Sequence, residues 1–305
     1  MGSLLMGVTD FHKKVKEVPD ILLDVHNCEL FDQVHPVAWT DPSAEKLYDM
    51  VVIGAGAGGL VTAGGCGGLG ARVALIERHF MGGDCLVSGC VPSKAFIRAA
   101  NEAYVLRKGG SEFGLAVEGT VKVDFGKMMA RLRKLRAKIA ENDAAKRFQL
   151  KYGVDVFFGE AKYTGKKTVE VNGQTLKFKK SVIATGGRPF VPPVPGLDTV
   201  PYYTSETLFN LTSLPPKVVV IGGGPIGCEL GQAFARLGSE VTIVDKNEHL
   251  LPREDPDAAA ILQQQLKDDG VNLRLGASAQ KFELLGGGAA GFPRIGVQLG
   301  VGAEI

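Results

Sequence analysis

The sequence predicts an α/β fold made of two strand–helix–strand units with a small antiparallel meander between them. Three observations predict it. A short apolar run rich in β-branched residues, YDMVVI (Tyr48–Ile53), ends in glycines and leads through a helical stretch to a second such run, RVALIE (Arg72–Glu77). The same strand, glycine turn, helix, strand and acid return in KVVVIGGGPIGCELGQAFARLGSEVTIVDK, from Lys217 to Lys246. Between the two, VDVFFGEAKY, KTVEVNGQTLKFKK and SVIATGG read as a meander that returns to a buried strand, with Asn172-Gly173 as its hairpin turn.

Taken in order, residues 1–46 form an N-terminal extension of weak periodicity, and QVHPVAWTDPSAEK reads as a loop into the first strand. A helix follows from about Ala57. It contains AGGCGGLG (Ala63–Gly70), and each interior glycine costs a helix about 1 kcal/mol relative to alanine, so this helix must lean on the sheet. GKMMARLRKLRAKIAENDAAKRF (Gly126–Phe148) reads as one amphipathic helix whose Lys/Arg run is a solvated face. RPFVPPVPGL (Arg188–Leu197) is stiff and marks a boundary, giving domains at 47–189 and 190–305. Two domains also suit a chain of 305 residues.

The net charge of +2 gives no case for nucleic acid or an anionic membrane surface, and no apolar run reaches the length of a membrane span. The start, MGSLLMGVTDFHKK, lacks a basic segment before its apolar residues, and Met6 stands where an acylation motif wants Ser or Thr. The expected setting is the cytoplasm, with an organelle left open. Five cysteines in so long a chain do not make a disulfide framework.

Two glycine fingerprints carry chemistry. In VVIGAGAGGL they are Gly54, Gly56 and Gly59; in VVIGGGPIGCEL they are Gly222, Gly224 and Gly227. The first glycine allows a tight turn, the second lets a pyrophosphate approach the backbone, and the third lets helix and strand pack closely. The helix N-terminus then faces the phosphates with its N–H groups and dipole. Glu77 and Asp245, each 18 residues after the third glycine, are placed to accept from a ribose. Both units are therefore expected to be Rossmann-like dinucleotide sites.

GGDCLVSGCVPSK (Gly82–Lys94) holds Cys85 and Cys90. A structural staple, a metal clip and a working redox pair are all open to a pair at this spacing. A staple over so short a loop contributes only about 2 kcal/mol. A zinc clip wants CxxC spacing and two more ligands, and His79 stands alone. The redox reading fits better. Residues five apart on one helix lie about 7.5 Å apart along its axis, so the chain must bend between the cysteines, with Gly89 available. Pro92 suits the first turn of a following helix, and Cys90 at that N-terminus, with Lys94 one turn on, favours a thiolate.

This stretch resembles the redox-active signature of the class I flavin disulfide reductases: lipoamide dehydrogenase, glutathione reductase and mercuric reductase. VHPVAWTDPSAEKLYDMVVIGAG, IERHFMGGDCL and LPREDPDAAAI are closest to the mercuric reductase-like branch, and the likeness runs from about His35 to Ile305. It implies FAD at the first fingerprint, with Glu77, Gly83, Lys94, the backbone of Ala161, and Ala184, Thr185 and Gly186 as further contacts. It implies NAD(P)H at the second, with Asp245. Electrons would pass from NAD(P)H through flavin to the Cys85–Cys90 disulfide, and on to a small disulfide or a Hg(II)-type acceptor. Cys90 would face the flavin, Cys85 would exchange with substrate, and Lys94 would pair with Glu229. The family implies a homodimer. No resident metal is expected.

Val87-Ser88 replaces the usual Asn-Val between the cysteines. The family's closing NAD(P) strands, its Gly-Asp flavin segment and its C-terminal dimerisation domain with a His–Glu pair have no counterpart in the sequence. Neither have the mercuric reductases' C-terminal cysteines or N-terminal CxxC. The sequence therefore reads as an N-terminal portion, expected to be inactive alone. The alternative is a truncated, non-catalytic FAD or nucleotide-binding module.

Overall fold

The computed structural model describes residues 22, 24–44, 46–109, 113–289 and 291–301. The readings of the Met1–Lys14 start as neither secretion signal nor acylation site concern residues outside those described. Among the described residues the chain divides into two compact units. The first comprises the chain up to Pro92, Ala130–Pro189 and Thr204–Asn210; the second comprises Ser93–Met129, Phe190–Tyr203 and the chain from Leu211.

The first unit is built on a six-stranded sheet in the order β3-β2-β1-β6-β5-β4. β1 (Leu47–Ile53), β2 (Val73–Glu77), β3 (Asp155–Phe158) and β6 (Gln174–Ile183) are parallel neighbours, while β5 (Thr168–Val171) and β4 (Lys162–Gly165) add antiparallel to β6. The meander's last strand and the buried strand predicted after it are thus one strand, β6. It pairs with β5 through its first half and with β1 along most of its length. The hairpin turn has Asn172 at φ 48° and Gly173 at φ 75°, the left-handed pair that the Asn-Gly signal implies.

β2 is buried on both faces. Val73 and Leu75 join one core with Val52, Leu60 and Phe148, and Ala74 and Ile76 join the other with Tyr48, Phe157 and Val169. This double burial is why the strand reads as a continuous apolar run. Tyr48, fully buried, donates from its hydroxyl to Asp155 Oδ2 at 2.9 Å.

The first core also takes a helix that the sequence reading leaves as part of a weakly periodic extension, α1 (Val25–Val34). Asp24 caps it by accepting from the Asn27 amide at 2.8 Å. Asn27, Leu30, Phe31 and Val34 face inward at helical spacing, and the polar Asn27 on that stripe hides the pattern.

α2 (Ala57–Gly68) is helical in spite of its glycines because those glycines let α6 (Ala145–Tyr152) come close. A Cβ on Gly67 would lie 2.4 Å from the Tyr152 carbonyl oxygen, and one on Gly64 would touch the Phe148 ring at 3.4 Å. The predicted single helix from Gly126 is two, α5 (Phe125–Ala140) and α6, separated at 141–144. Its basic run is also not uniformly solvated: Arg133 and Arg136 are 5% and 3% exposed.

The second unit holds a parallel sheet in the order β7-β8-β9: β7 (Lys217–Ile221), β8 (Glu240–Val244) and β9 (Asn272–Arg274). α7 (Pro225–Leu237) starts on a proline and stops at Gly238 in the left-handed region, φ 117°. α8 (Pro256–Asp268) is capped by Asp255. β10 (Ala277–Leu284) and β11 (Ile295–Val301) form an antiparallel pair, the latter within the alternating segment PRIGVQLGV. Among the described residues no helix is long and apolar enough to cross a membrane.

The glycines of α2 separate into two kinds. Gly65 has open space where a Cβ would go, whereas Gly67 does not. In chemical denaturation Gly65→Ala is expected to stabilise by about 0.5–1 kcal/mol, the helix-propensity gain. Gly67→Ala is expected to destabilise by about 1–3 kcal/mol in spite of the same gain, because α6 must move.

Candidate active site

A cleft of about 800 Å³ opens at the carboxyl ends of β1, β2 and β6, where ligands bind in open α/β sheets. Its floor is the turn from β1 into α2. Gly54 sits at φ 96°, and a Cβ there would lie 2.3 Å from the Ala184 carbonyl oxygen. Gly59 passes so close that its Cβ would fall 1.8 Å from the Gly54 carbonyl oxygen. Gly56 differs: a Cβ there would meet only the Gly83 Cα, at 3.9 Å. The first and third glycines are required by the chain itself. The second leaves room on the cleft side, at the N-cap of α2.

Glu77, at the end of β2, locks this turn. Its Oε2 accepts from the Ala55 amide at 2.6 Å and its Oε1 from the His79 amide at 2.7 Å. Burial pushes its pKa up, with the two amides pulling the other way. The second unit repeats the device. Gly222 sits at φ 110°, a Cβ on Gly227 would lie 2.0 Å from the Gly222 carbonyl oxygen, and Gly224 has nothing within 4 Å. Asp245 Oδ2 accepts from the Gly223 amide at 2.6 Å, and its Oδ1 from the Asn247 amide at 2.7 Å. A carboxylate oxygen has lone pairs beyond those used here. The residues present therefore fit a pyrophosphate over the open glycine and a ribose at the acid, in each unit separately.

The remaining cleft wall brings together Gly83, Cys85, Ala161, Ala184, Thr185 and Gly186. The short helix α3 (Gly83–Val87) starts from two left-handed glycines, Gly82 at φ 89° and Gly83 at φ 53°. The Gly82 amide donates to the Ala55 carbonyl at 2.8 Å, so the cysteine segment hangs from the glycine turn. Helical structure breaks at Ser88-Gly89 and resumes at Cys90, the first residue of α4 (Cys90–Tyr104). A Cβ on Gly89 would lie 2.8 Å from the Asp84 carbonyl oxygen, which is why that bend needs a glycine.

All five cysteines are thiols. The Cys85 thiol hydrogen-bonds to Cys90, and this bond, with burial and the nearby charge of Asp143, pushes it up to about 11. Cys85 lines the cleft, and Cys90 is exposed. Lys94 Nζ lies 2.7 Å from Glu229 Oε2, both side chains about half exposed, so the pair contributes little to stability. Among the described residues no cluster of His, Cys, Asp or Glu is arranged to hold a metal ion.

The sequence motifs do not include some residues of this region. Arg136 Nη1 donates to the Val87 carbonyl at 2.5 Å, inside the segment between the cysteines. Its burial, with Arg133 nearby, pulls its pKa down to about 10. Arg133 pairs with Asp24. A signal existed: both arginines fall on the stripe of Met129, Leu132, Ala137 and Ala140, the buried face of α5. Arg188 and Glu206, 4.0 Å apart, also line the cleft.

An acid-locked glycine turn recurs in the two units, and a pair of cysteines hangs from the first. The chain belongs to the pyridine nucleotide-disulphide oxidoreductase family, whose model matches residues 48–301. That family is FAD-dependent, with NAD(P)H as electron donor. Among its relatives, a mercuric reductase of Lysinibacillus sphaericus is 39% identical over 244 residues, covering 79% of this chain and 44% of the relative. A dihydrolipoyl dehydrogenase of Acholeplasma laidlawii is 35% identical, covering 78% of this chain and 71% of the relative. The solved HOCl-induced flavoprotein disulfide reductase RclA from Escherichia coli superposes with a TM-score of 0.66 at 31% identity, over 77% of this chain and 50% of that one. The chain thus spans about half the length of several of these relatives.

The glycine geometry separates folding from binding. Gly56→Ala is expected to keep the native fold, with thermal stability close to wild type, while weakening FAD binding at least about tenfold by flavin fluorescence titration, since a methyl there intrudes on the phosphate path. Gly59→Ala, with no space for its methyl, is expected to lose stability and flavin together.

Proposed function

We propose that this protein is a mercuric reductase-like flavin disulfide oxidoreductase that uses Cys85 and Cys90 as its redox pair. One observation carries the reading: a cysteine of a hydrogen-bonded thiol pair lines the same cleft as the acid-locked glycine turn. The domains proposed are an FAD domain at 47–189 and an NAD(P) domain at 190–305, after an extension at 1–46. When bound, FAD supplies a ring that takes hydride from NAD(P)H and hands two electrons to a neighbouring disulfide.

The chain's own residues then do the following. Gly56 leaves the path for the FAD pyrophosphate, Gly54 and Gly59 form the turn that presents it, and Glu77 takes the ribose. Gly83, Ala161, Ala184, Thr185 and Gly186 line the remainder. Gly222, Gly224, Gly227 and Asp245 do the same for NAD(P)H. Two electrons and two protons convert the Cys85–Cys90 disulfide into two thiols. Cys85, as thiolate, attacks one sulfur of the acceptor disulfide, and the first acceptor thiolate leaves and is protonated. Cys90 then attacks Cys85 in the mixed disulfide, releasing the second thiol and restoring the Cys85–Cys90 bond. With Hg(II), the two thiolates would act as ligands instead. Lys94 and Glu229 are carried into the same reaction by the family likeness, as is a homodimer.

A thiol at about 11 is only about a thousandth ionised at pH 8, so Cys85 needs its proton removed before it attacks. Its raised value means that thiolate, and hence reactivity, grows as pH rises through that value. Alkylation of Cys85 in the reduced protein is expected to accelerate up to about pH 11. Cys90→Ala, which removes the hydrogen-bond partner, is expected to move that midpoint down toward the ordinary thiol value. The family likeness makes Cys90 the flavin-facing thiolate, so in the flavin-loaded protein two-electron reduction is expected to give a long-wavelength absorbance that Cys90→Ser abolishes and Cys85→Ser keeps. Equal spectra for the two variants would refute their separate roles.

The donor is a second test. Asp245 should accept from a 2′-hydroxyl and repel a 2′-phosphate, so kcat/KM is expected to favour NADH. A strong NADPH preference would assign the phosphate to Lys246 or Arg253 and remove Asp245 from ribose recognition.

A further inference from the structure

We infer that Arg136 is a positioning residue for the redox pair, holding the segment between Cys85 and Cys90 from behind. This rests on the reading of those cysteines as a working dithiol. Three facts carry it. First, Arg136 is 3% exposed, yet its Nη1 and Nη2 meet no carboxylate: they donate to the Val87 carbonyl and to Asn27 Oδ1, each at 2.5 Å. Second, its Nε has no partner among the described residues. A buried guanidinium on neutral acceptors is a costly way to fill space, and an apolar side chain of similar size would serve stability as well or better. Third, the carbonyl it takes is that of the last residue of α3, one of the helix-end carbonyls left without an intrahelical donor.

Its anchor is equally specific. Asn27 is fully buried, donates from Nδ2 to the Leu22 carbonyl at 2.6 Å, and takes its place on α1 through the Asp24 cap. Asp24 in turn pairs with Arg133, one turn before Arg136. A relay of side chains thus runs from α1 through α5 to the carbonyl three residues before Cys90. At its other end the segment is tied by the Gly82 amide to Ala55. With both ends of α3 held, the Cys85 that it carries is fixed in place, and closing the disulfide with Cys90 orders less chain.

The test uses the full chain loaded with FAD, equilibrated in glutathione buffers, with the dithiol–disulfide constant of Cys85–Cys90 read by alkylation and mass analysis. Arg136→Met is expected to lower the constant for disulfide formation by about tenfold, which is ~30 mV for this two-electron couple. Arg136→Lys, keeping one donor to Val87, is expected to recover most of it. Asn27→Ala, which removes only the anchor, is expected to fall between. Thermal stability is measured alongside. A constant unchanged within about twofold in Arg136→Met, whatever its stability, overturns the inference. If that variant does not fold, an unchanged constant in Asn27→Ala does so instead. A wild-type protein in which Cys85 and Cys90 form no disulfide in any buffer overturns the redox reading itself.

Discussion

The structure of the first unit depends on the contact between the carbonyl oxygen of Gly54 and the bare Cα of Gly59. A Cβ at Gly59 would sit 1.8 Å from that oxygen, so helix α2 can leave β1 at this angle only because no side chain stands between them. Everything at the cleft follows from that approach. It aims the α2 N-terminus across the strand ends and brings the Ala55 amide within reach of Glu77. It also leaves the Ala55 carbonyl to receive the Gly82 amide. The second unit repeats the contact between Gly222 and Gly227, and repeats the acid lock with Asp245 on the Gly223 amide.

The cysteine segment is an appendage of that turn. Two left-handed glycines start it, a single short helix carries Cys85, and Gly89 bends it over the Asp84 carbonyl before α4 begins at Cys90. The bend is what allows two cysteines at this spacing to share a hydrogen bond, since one continuous helix would hold them apart. The shared hydrogen bond, with burial, then moves ionisation of Cys85 from the ordinary thiol range up to about 11. Shape and thiol chemistry are coupled here through a few backbone contacts rather than through a ring of charges.

Behind the segment lies a polar layer inside an otherwise apolar core. Asp24, Asn27, Arg133 and Arg136 link α1 to α5, among Leu30, Phe31, Val34 and Ala137. Buried polar groups of this kind are expensive unless partnered, and here the partnering runs across a large sequence separation.

Residues close together in the chain set the local and periodic features. The two strand–glycine–helix–strand units, the Asn172-Gly173 hairpin and the bend between Cys85 and Cys90 each rest on residues near one another in the chain. Steric demands on a glycine, or a period of two or of 3.6, suffice to read them. Tertiary structure decided what depends on distant partners. It made β6 a single strand serving both the meander and the parallel sheet. It turned the glycines of α2 from a weakness into a seat for Tyr152. It buried Arg136, whose acceptors at Asn27 and Val87 lie 109 and 49 residues away. It kept α1 out of the periodic reading, because an inward-facing asparagine looks like a solvent residue until its partners on α5 and at Leu22 are in place. A charged or polar side chain has one meaning at the surface and another in the core, and only the fold assigns which.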